Sequence, residues 1–298
     1  MTRVVIGGAS GLIGSALAAA LESRGDDVVR LVRRAPRGPG EVRWDPATGS
    51  LDAATLRDAD AVVNLSGATL ARVPWTPGIR REILRSRLSA TDTLVATLHD
   101  LAAEGARLPA LISGSATGIY GHRPGERLTE DAPAGTGFLA DVVTAWEAAA
   151  RRAPDGTRIV LARTGLVIAH SGALAPLRVL TRLGLAGPIS GGRQHWAWIA
   201  LEDEVAGLIR AIDDDLHGPI NLVGPAPATA AEVVRALARA LRRPYWLPIP
   251  LVRLMGEAGR ELLGADQAVE PRVLLEAGHE FHRPTIDAAI AAALTPSD

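Results

Sequence analysis

Three glycines constrain this chain more than any other feature. Gly8, Gly11 and Gly14 stand in Gly-x-x-Gly-x-x-Gly spacing, after the short apolar run Arg3-Val4-Val5-Ile6-Gly7 and before an alanine-rich stretch that turns Leu17 and Leu21 inward at helical spacing. Glycine at these places permits a tight turn, lets backbone N–H groups close on a pyrophosphate and lets the helix approach the strand, while the helix N-terminus favours an anion. A second apolar run, Val28-Val29-Arg30-Leu31-Val32, completes the βαβ order that such a turn needs. The pattern predicts a dinucleotide-binding unit with Gly8, Ser10, Gly11, Leu12, Ile13 and Gly14 around the cofactor.

The end of the second run bears on which dinucleotide binds. An NAD site usually carries an acid there, facing the adenosine ribose hydroxyls, whereas an NADP site carries arginine against the 2′-phosphate. This chain has Arg33 and Arg34, about 20 positions past the glycines, as the motif requires. Asp26 and Asp27 come too early to serve. NADP(H) is therefore expected in preference to NAD(H).

The alternation continues. Asp60 to Gly67 reads as a buried strand ending in a polar turn, whose Asn64, Ser66 and Gly67 are further cofactor candidates at the ligand edge. Pro109 to Ser115 and Arg158 to Leu166 read as further strands, and Thr76 to Leu101 has helical spacing through Ile79, Ile83, Leu84, Leu88, Val95 and Leu98. Repeated βα units predict an α/β fold, a Rossmann-like doubly wound parallel sheet with a smaller, partly discontinuous C-terminal substrate lobe. Residues 1–165 are expected to form the dinucleotide-binding core, its sheet completed by segments near 195–225. Residues 166–298 are expected to supply mainly the substrate lobe and a C-terminal helical segment.

Composition narrows the chemistry. The chain contains 32 basic residues, all of them arginine, and no lysine. Schiff-base and pyridoxal-phosphate chemistry and Walker-type loops all need a lysine amine, so they are excluded. The absence of cysteine removes disulfides, thiol catalysis and zinc-thiolate sites. The 33 acidic residues balance the arginines, so no nucleic-acid partner is expected. No segment is long and apolar enough to span a bilayer, and Met1 runs straight into a strand, so no membrane partner is expected and the reading is cytoplasmic.

Several motifs together are similar to the extended short-chain dehydrogenase/reductase superfamily. They are the glycine loop, Asn64-Leu65-Ser66-Gly67, Trp75 through Ser86-Arg87, Ser113 through Gly121, Trp146-Glu147 and Arg163-Thr164-Gly165. Gly191-Gly192-Arg193-Gln194 with Trp198-Ile199, and the stretch from Leu254 to Gly278, narrow the resemblance to the atypical epimerase-family group, over essentially the whole chain. The resemblance implies that Ser115 polarises a substrate oxygen, with Thr117 a close second. It also implies a Tyr-x-x-x-Lys pair before Trp146, but Phe138-Leu139-Ala140-Asp141-Val142-Val143 stands there, so the standard proton donor is missing. Tyr120 is a substitute acid if its phenol reaches the nicotinamide; otherwise it lines the pocket wall.

The second half is expected to hold the substrate. Arg193 suits an anionic group and Trp196 a flat ring, whereas Trp198 reads as structural. Arg87 is a second anion-binding candidate, a helix salt bridge being the other explanation. Pro244 to Pro250 reads as a proline-punctuated connection, followed by Val252, Met255 and Leu262 as a docking or dimer surface. His279-Glu280-Phe281-His282 has the wrong spacing for a zinc helix and reads as a solvated turn, so no metal is assigned. These observations point to an NADP(H)-binding oxidoreductase or epimerase, monomeric or homodimeric, acting on a nucleotide-sugar-like or other polar carbonyl or alcohol compound. The alternative is a non-catalytic NADP(H)-binding sensor or scaffold, including one that serves cell division.

Overall fold

The computed structural model describes residues 1–246 and 251–295; Leu247 to Pro250 of the expected proline-punctuated connection lie outside the described residues. The first half alternates as the glycine spacing predicts. It runs β1 (Arg3–Gly7), α1 (Leu12–Ser23), β2 (Asp27–Val32), β3 (Glu41–Arg43), α2 (Ala54–Arg57), β4 (Ala61–Asn64), α3 (Pro77–Ala103) and β5 (Ala110–Ala116). A 3₁₀ turn over Thr117–Tyr120, the two-residue β6 (Arg127–Leu128), α4 (Phe138–Ala150) and β7 (Ile159–Thr164) follow. Beyond β7 come β8 (Leu166–Ile168), α5 (Leu174–Arg182), β9 (His195–Trp196), β10 (Trp198–Ala200), α6 (Leu201–Asp213), β11 (Gly218–Leu222), β12 (Ala228–Thr229) and α7 (Ala230–Ala240). The chain closes with α8 (Leu251–Leu254), α9 (Gly256–Leu262), β13 (Ala268–Val269), α10 (Arg272–Glu276) and α11 (Ile286–Leu294).

Seven strands form one parallel sheet in the order β3-β2-β1-β4-β5-β7-β11, a Rossmann-like α/β arrangement. Successive strand residues face opposite sides. Val4 and Ile6 enter a core with Leu17 and Leu21 of α1 and Leu208 of α6. Val5 enters the opposite core with Leu94 and Leu98 of α3. Burying each of those fully enclosed leucines contributes about 2 kcal/mol. The sequence explains why α3 starts where it does: Pro77 fits the first helical position, and the Thr76 hydroxyl accepts from the Ile79 N–H at 3.3 Å.

The segments near 195–225 divide between two jobs. β11 is the sheet's seventh strand, beside β7. Residues 195–200 instead pair with β8 and β12 in two-stranded sheets. A separate core gathers Trp196, Trp198, Val233, Leu237 and Ile290, and it defines the smaller lobe.

Candidate cofactor and substrate site

The glycine loop sits at the C-terminal edge of β1, and each glycine answers a different demand. Gly8 has φ +82°, and a side chain there would place its Cβ 2.7 Å from the Leu65 carbonyl group, so this residue lets the loops after β1 and β4 press together. A Cβ on Gly14 would overlap the Gly8 carbonyl oxygen. Gly11 is the N-cap of α1, which has no side-chain cap and no acid in its first turn. The first backbone N–H groups of α1 therefore lack intrahelical partners and present a positive helix end to the loop. Ser10 and Gly11 are exposed and Leu12 and Ile13 half-buried, so the predicted cofactor residues form one accessible edge.

Arg33 and Arg34 have separate fates. Arg34 clamps Glu41 with both terminal nitrogens, and the Arg37 N–H adds a bond to the same carboxylate. The Arg34 hydrogen bond first, and then the Arg37 N–H, hold the Glu41 carboxyl down at about 2. Arg33 is exposed and makes no ion pair among the described residues. Of the two predicted phosphate ligands, Arg33 is the one with its guanidinium uncommitted.

The loop after β4 is braced from below. The Asn64 side chain is fully buried, donates to the Thr91 hydroxyl at 3.1 Å and accepts from the Ser66 N–H at 3.2 Å. The Trp146 indole N–H donates to the same Thr91 hydroxyl at 3.0 Å. Asn64 thus shapes the turn, while Ser66 and Gly67 reach its surface. Arg87 lies under this loop, its guanidinium carbon 3.2 Å from where a Gly67 Cβ would stand. One of its nitrogens donates to the carbonyls of Ala68 and Ile83, and its plane lies over Trp146. No carboxylate pairs with it among the described residues, and burial lowers its pKa to about 10. The helix salt bridge that offered another explanation for Arg87 does not form.

At the end of β5 the expected catalytic groups belong to a buried polar network. The Ser115 hydroxyl donates to Glu147 Oε1 at 2.7 Å, and Arg163 donates to both oxygens of that carboxylate at 2.8 and 3.1 Å. Burial pushes Glu147 up, but Arg163, Ser115 and Arg151 together outweigh it and hold the carboxyl below its ordinary value. Arg163 also donates to the Tyr120 hydroxyl at 2.9 Å, and that hydroxyl donates to Asn221 Oδ1 at 2.7 Å. Tyr120 is 0% exposed, and burial raises its pKa more than Arg163 lowers it. This corrects the expectation of a substitute acid: the Tyr120 hydroxyl donates to Asn221 inside the fold, and the side chain has no exposed surface. Ser115 likewise gives its proton to Glu147, which leaves its oxygen to accept rather than donate toward a ligand. Thr117, buried at the start of the 3₁₀ turn, is the neighbouring hydroxyl.

A cavity of about 410 Å³ opens between this turn, the start of α4 and the C-terminal segment. Gly118, His122, Leu139, Ser190, Glu257, Arg260, Glu261 and Gln267 are among its lining residues. Both acids are engaged. Glu257 receives a two-pronged bond from Arg80 at 2.8 Å, and Glu261 accepts the Phe138 and Leu139 N–H groups at 2.9 Å each, capping α4, which has no cap of its own. His122 Nδ1 accepts the Asp266 N–H at 3.0 Å, so its neutral form carries the proton on Nε2. Arg260 pairs with no acid among the described residues, so the cavity wall carries an unpaired cation beside the Glu261 carboxylate.

The predicted substrate residues separate. Arg193 is exposed on a loop where Ser190, Gly191 and Gly192 all have positive φ, and Ser190 reaches the cavity. Trp196 is corrected: it is 4% exposed in the small-lobe core, and its indole N–H donates to the Leu263 carbonyl at 3.0 Å, so no face remains for a ligand. Trp198 is structural, donating to the Ala226 carbonyl at 2.9 Å. His279 is buried edge-on against Phe281 and is no solvated turn. Sequence reasoning missed Arg260, Glu261 and Gln267: they lie within the Leu254 to Gly278 stretch that carries the resemblance, but nothing in their spacing points to a cavity. Glu147 and Arg163 lay inside quoted motifs, yet nothing in the spacing says that they meet.

With this geometry in hand, the likenesses to known proteins are specific. The profile of the NAD dependent epimerase/dehydratase family matches residues 4–224, and that of a domain of unknown function, DUF1731, matches residues 247–293. The chain belongs to the NAD dependent epimerase/dehydratase family. It is 43% identical to an epimerase family protein of Mycobacterium tuberculosis over 98% of this chain and 97% of that one. It is 36% identical to the human epimerase family protein SDR39U1 over 97% and 98% of the two chains. The crystal structure of human SDR39U1 (isoform 2) with NADPH superposes with a TM-score of 0.88 at 33% identity, covering 99% of this chain and all of that one. A Thermus thermophilus UDP-glucose 4-epimerase in complex with NAD, 19% identical with a TM-score of 0.73, shares the fold.

Proposed function

We propose that this protein binds NADP(H) in preference to NAD(H) and acts as an oxidoreductase or epimerase on a nucleotide-sugar-like or other polar carbonyl or alcohol compound, in the cytoplasm, as a monomer or homodimer. The observation that carries the reading is the glycine loop from Gly8 to Gly14, accessible at Ser10 and Gly11 at the uncapped start of α1, with Arg33 exposed and unpaired among the described residues. NADPH in the human relative's structure supports the same cofactor. Gly8 to Gly14 cradle the pyrophosphate, and Arg33 meets the 2′-phosphate while Arg34 stays with Glu41. Ser66 and Gly67 close the cofactor edge over the Asn64 brace, and residues 1–165 with β11 make up the cofactor unit. The bound cofactor supplies the hydride.

The cavity beside Thr117 takes the substrate, its polar wall selecting a compound with an acceptor-rich or anionic group. Arg87 and Arg193 are the further anion-binding positions. Ser115, with its proton held by Glu147, accepts a hydrogen bond from a substrate hydroxyl, and Thr117 is the adjoining donor. Calorimetric titration with NADPH and NADH tests the cofactor assignment, with tight NADPH-selective binding expected. Incubation of the NADPH complex with nucleotide sugars and simple carbonyl compounds, followed by loss of NADPH absorbance, tests the chemistry.

A second reading is favoured by one observation: the Ser115 and Tyr120 hydroxyls both donate inside the fold, and the stretch Phe138 to Val143 contains neither tyrosine nor lysine. On that reading the protein binds NADP(H) as a sensor or scaffold without turnover. NADPH-selective binding with no oxidation by any compound, and no exchange of label between cofactor and sugar nucleotide, is its expected signature.

A further inference from the structure

The even balance of acids and bases along the chain conceals a local asymmetry. Residues 156–201 and 233–256 contain no Asp or Glu at all. The fold brings part of these two stretches together. The Trp246 N–H donates to the Ala186 carbonyl at 2.9 Å, and its indole N–H donates to the Gly184 carbonyl at 3.2 Å, which seats Trp246 on the loop that follows α5.

That meeting place is apolar and exposed. Val179 is 53% exposed, Leu183 68%, Leu185 38% and Trp246 65%, so four of the eight exposed large apolar side chains of the described residues lie here. Inward-facing Leu174, Leu177 and Thr181 account for how α5 is held, and Val179 on its outer face stays exposed. Arg182, Arg242 and Arg243 flank the patch, are exposed and make no ion pair among the described residues. Their positions near the C-terminal ends of α5 and α7 suit the helix dipoles. The dipoles do not explain the four apolar side chains between them.

We infer that this face, centred on Leu183 and Trp246 and flanked by Arg182, Arg242 and Arg243, docks the protein onto an anionic lipid surface. Three features favour lipid over other occupants. The indole N–H of Trp246 is already bonded within the protein, so its exposed ring can enter hydrocarbon without stranding a donor. Leucine, valine and tryptophan beside unpaired arginines match the layered polarity of an anionic membrane interface. A second copy paired about a twofold axis would set these arginine clusters against one another. Docking of this kind needs no spanning segment; no helix among the described residues is long and apolar enough to cross a membrane.

The fold supplies its own reporter. Trp44, Trp75, Trp146, Trp196 and Trp198 are all at most 7% exposed, so Trp246 is the solvent-exposed member of the chain's six tryptophans. The full-length protein is titrated with phosphatidylcholine vesicles and with vesicles that also contain phosphatidylglycerol, following tryptophan emission and co-sedimentation. A blue shift and co-sedimentation are expected with the anionic vesicles, weakened about tenfold or more by high salt. The shift should vanish in Trp246→Phe, and binding should be lost in the paired variant Arg242→Asn and Arg243→Ser, which keeps the left-handed position 242 occupied by a residue that tolerates it. Unchanged NADPH affinity and melting temperature show that the variants fold. Absence of binding to anionic vesicles overturns the inference, as does binding that ignores both variants. A concentration-dependent dimer that the same variants dissolve, or an acidic protein that displaces the vesicles, would reassign the face to that partner.

Discussion

The glycine-loop edge and the cavity beside the 3₁₀ turn are made in opposite ways. The first is built from backbone: Gly8, Gly11 and Gly14 fall within seven consecutive residues, and their work is done by what their missing side chains allow. The second is built from side chains that come from distant parts of the chain, such as Glu261 against Phe138 and Glu257 against Arg80. Backbone sites announce themselves locally, because a turn and a helix start are local events. Side-chain sites depend on which elements pack together, and that is decided by the whole core.

Glu147→Ala is the hardest test of the side-chain half. It strands the buried Arg163 guanidinium and removes the Ser115 acceptor, and it should cost about 3–5 kcal/mol in urea denaturation. Because Glu147 is held below its ordinary value, its contribution is present above the unfolded pKa and is lost as pH falls through the folded one. Wild-type stability should therefore fall on acidification, and the variant should be less sensitive. A flat comparison would mean that the network carries no charge.

Glu204 titrates in the other direction. It is fully buried on α6, accepts the Thr164 hydroxyl at 2.7 Å through one oxygen and leaves the other without a partner, and burial pushes it up to about 8. The folded state keeps the proton that the unfolded state loses near 4.5, so stability declines as pH rises between the two values and levels off above about 8. Glu204→Gln should be more stable than wild type by about 2 kcal/mol at the alkaline end, with the gain shrinking toward pH 4. Thermal melts across that range check it. A constant difference at every pH would show that Glu204 does not change charge.

In the backbone half, Arg33→Asp should weaken NADPH by about 1–2 kcal/mol, roughly tenfold, while NADH changes little. Equal losses for both would remove Arg33 from the phosphate. Glu261→Gln is the mildest change, with about 1 kcal/mol lost in melting and NADPH affinity unchanged, since only the cap of α4 weakens. If NADPH affinity falls as well, the two halves are coupled through α4 and the contrast between them is too sharp.

The legibility of each feature follows the same division. The glycine loop, the strands β1, β2, β4, β5 and β7 and the long α3 were readable because period and turn chemistry lie in contiguous residues, whereas the short β3 and β6 carry no such period. Helix α3 runs Pro77–Ala103 against the expected Thr76 to Leu101. Tyr120 misled because its place beside Ser115 suggests the ligand edge. The 3₁₀ turn instead swings its ring inward, to a partner on β11 that lies 101 residues away in the chain. Trp196 misled because an exposed motif and a lobe core can share the same residue type. Arg34 could not be distinguished from Arg33 until β3 placed Glu41 beside it.

The capping of α4 by Glu261 has a consequence for biosynthesis. The helix that covers β5 and β7 is finished by a carboxylate 122 and 123 residues downstream, so while the ribosome is still making α9 the first turn of α4 is left open. The cofactor-binding portion can collapse early, since its contacts are already in hand. The cavity acquires the side of its wall made by Glu257, Arg260, Glu261 and Gln267 only when these residues emerge, and a chain cut before α9 would leave it open on that side.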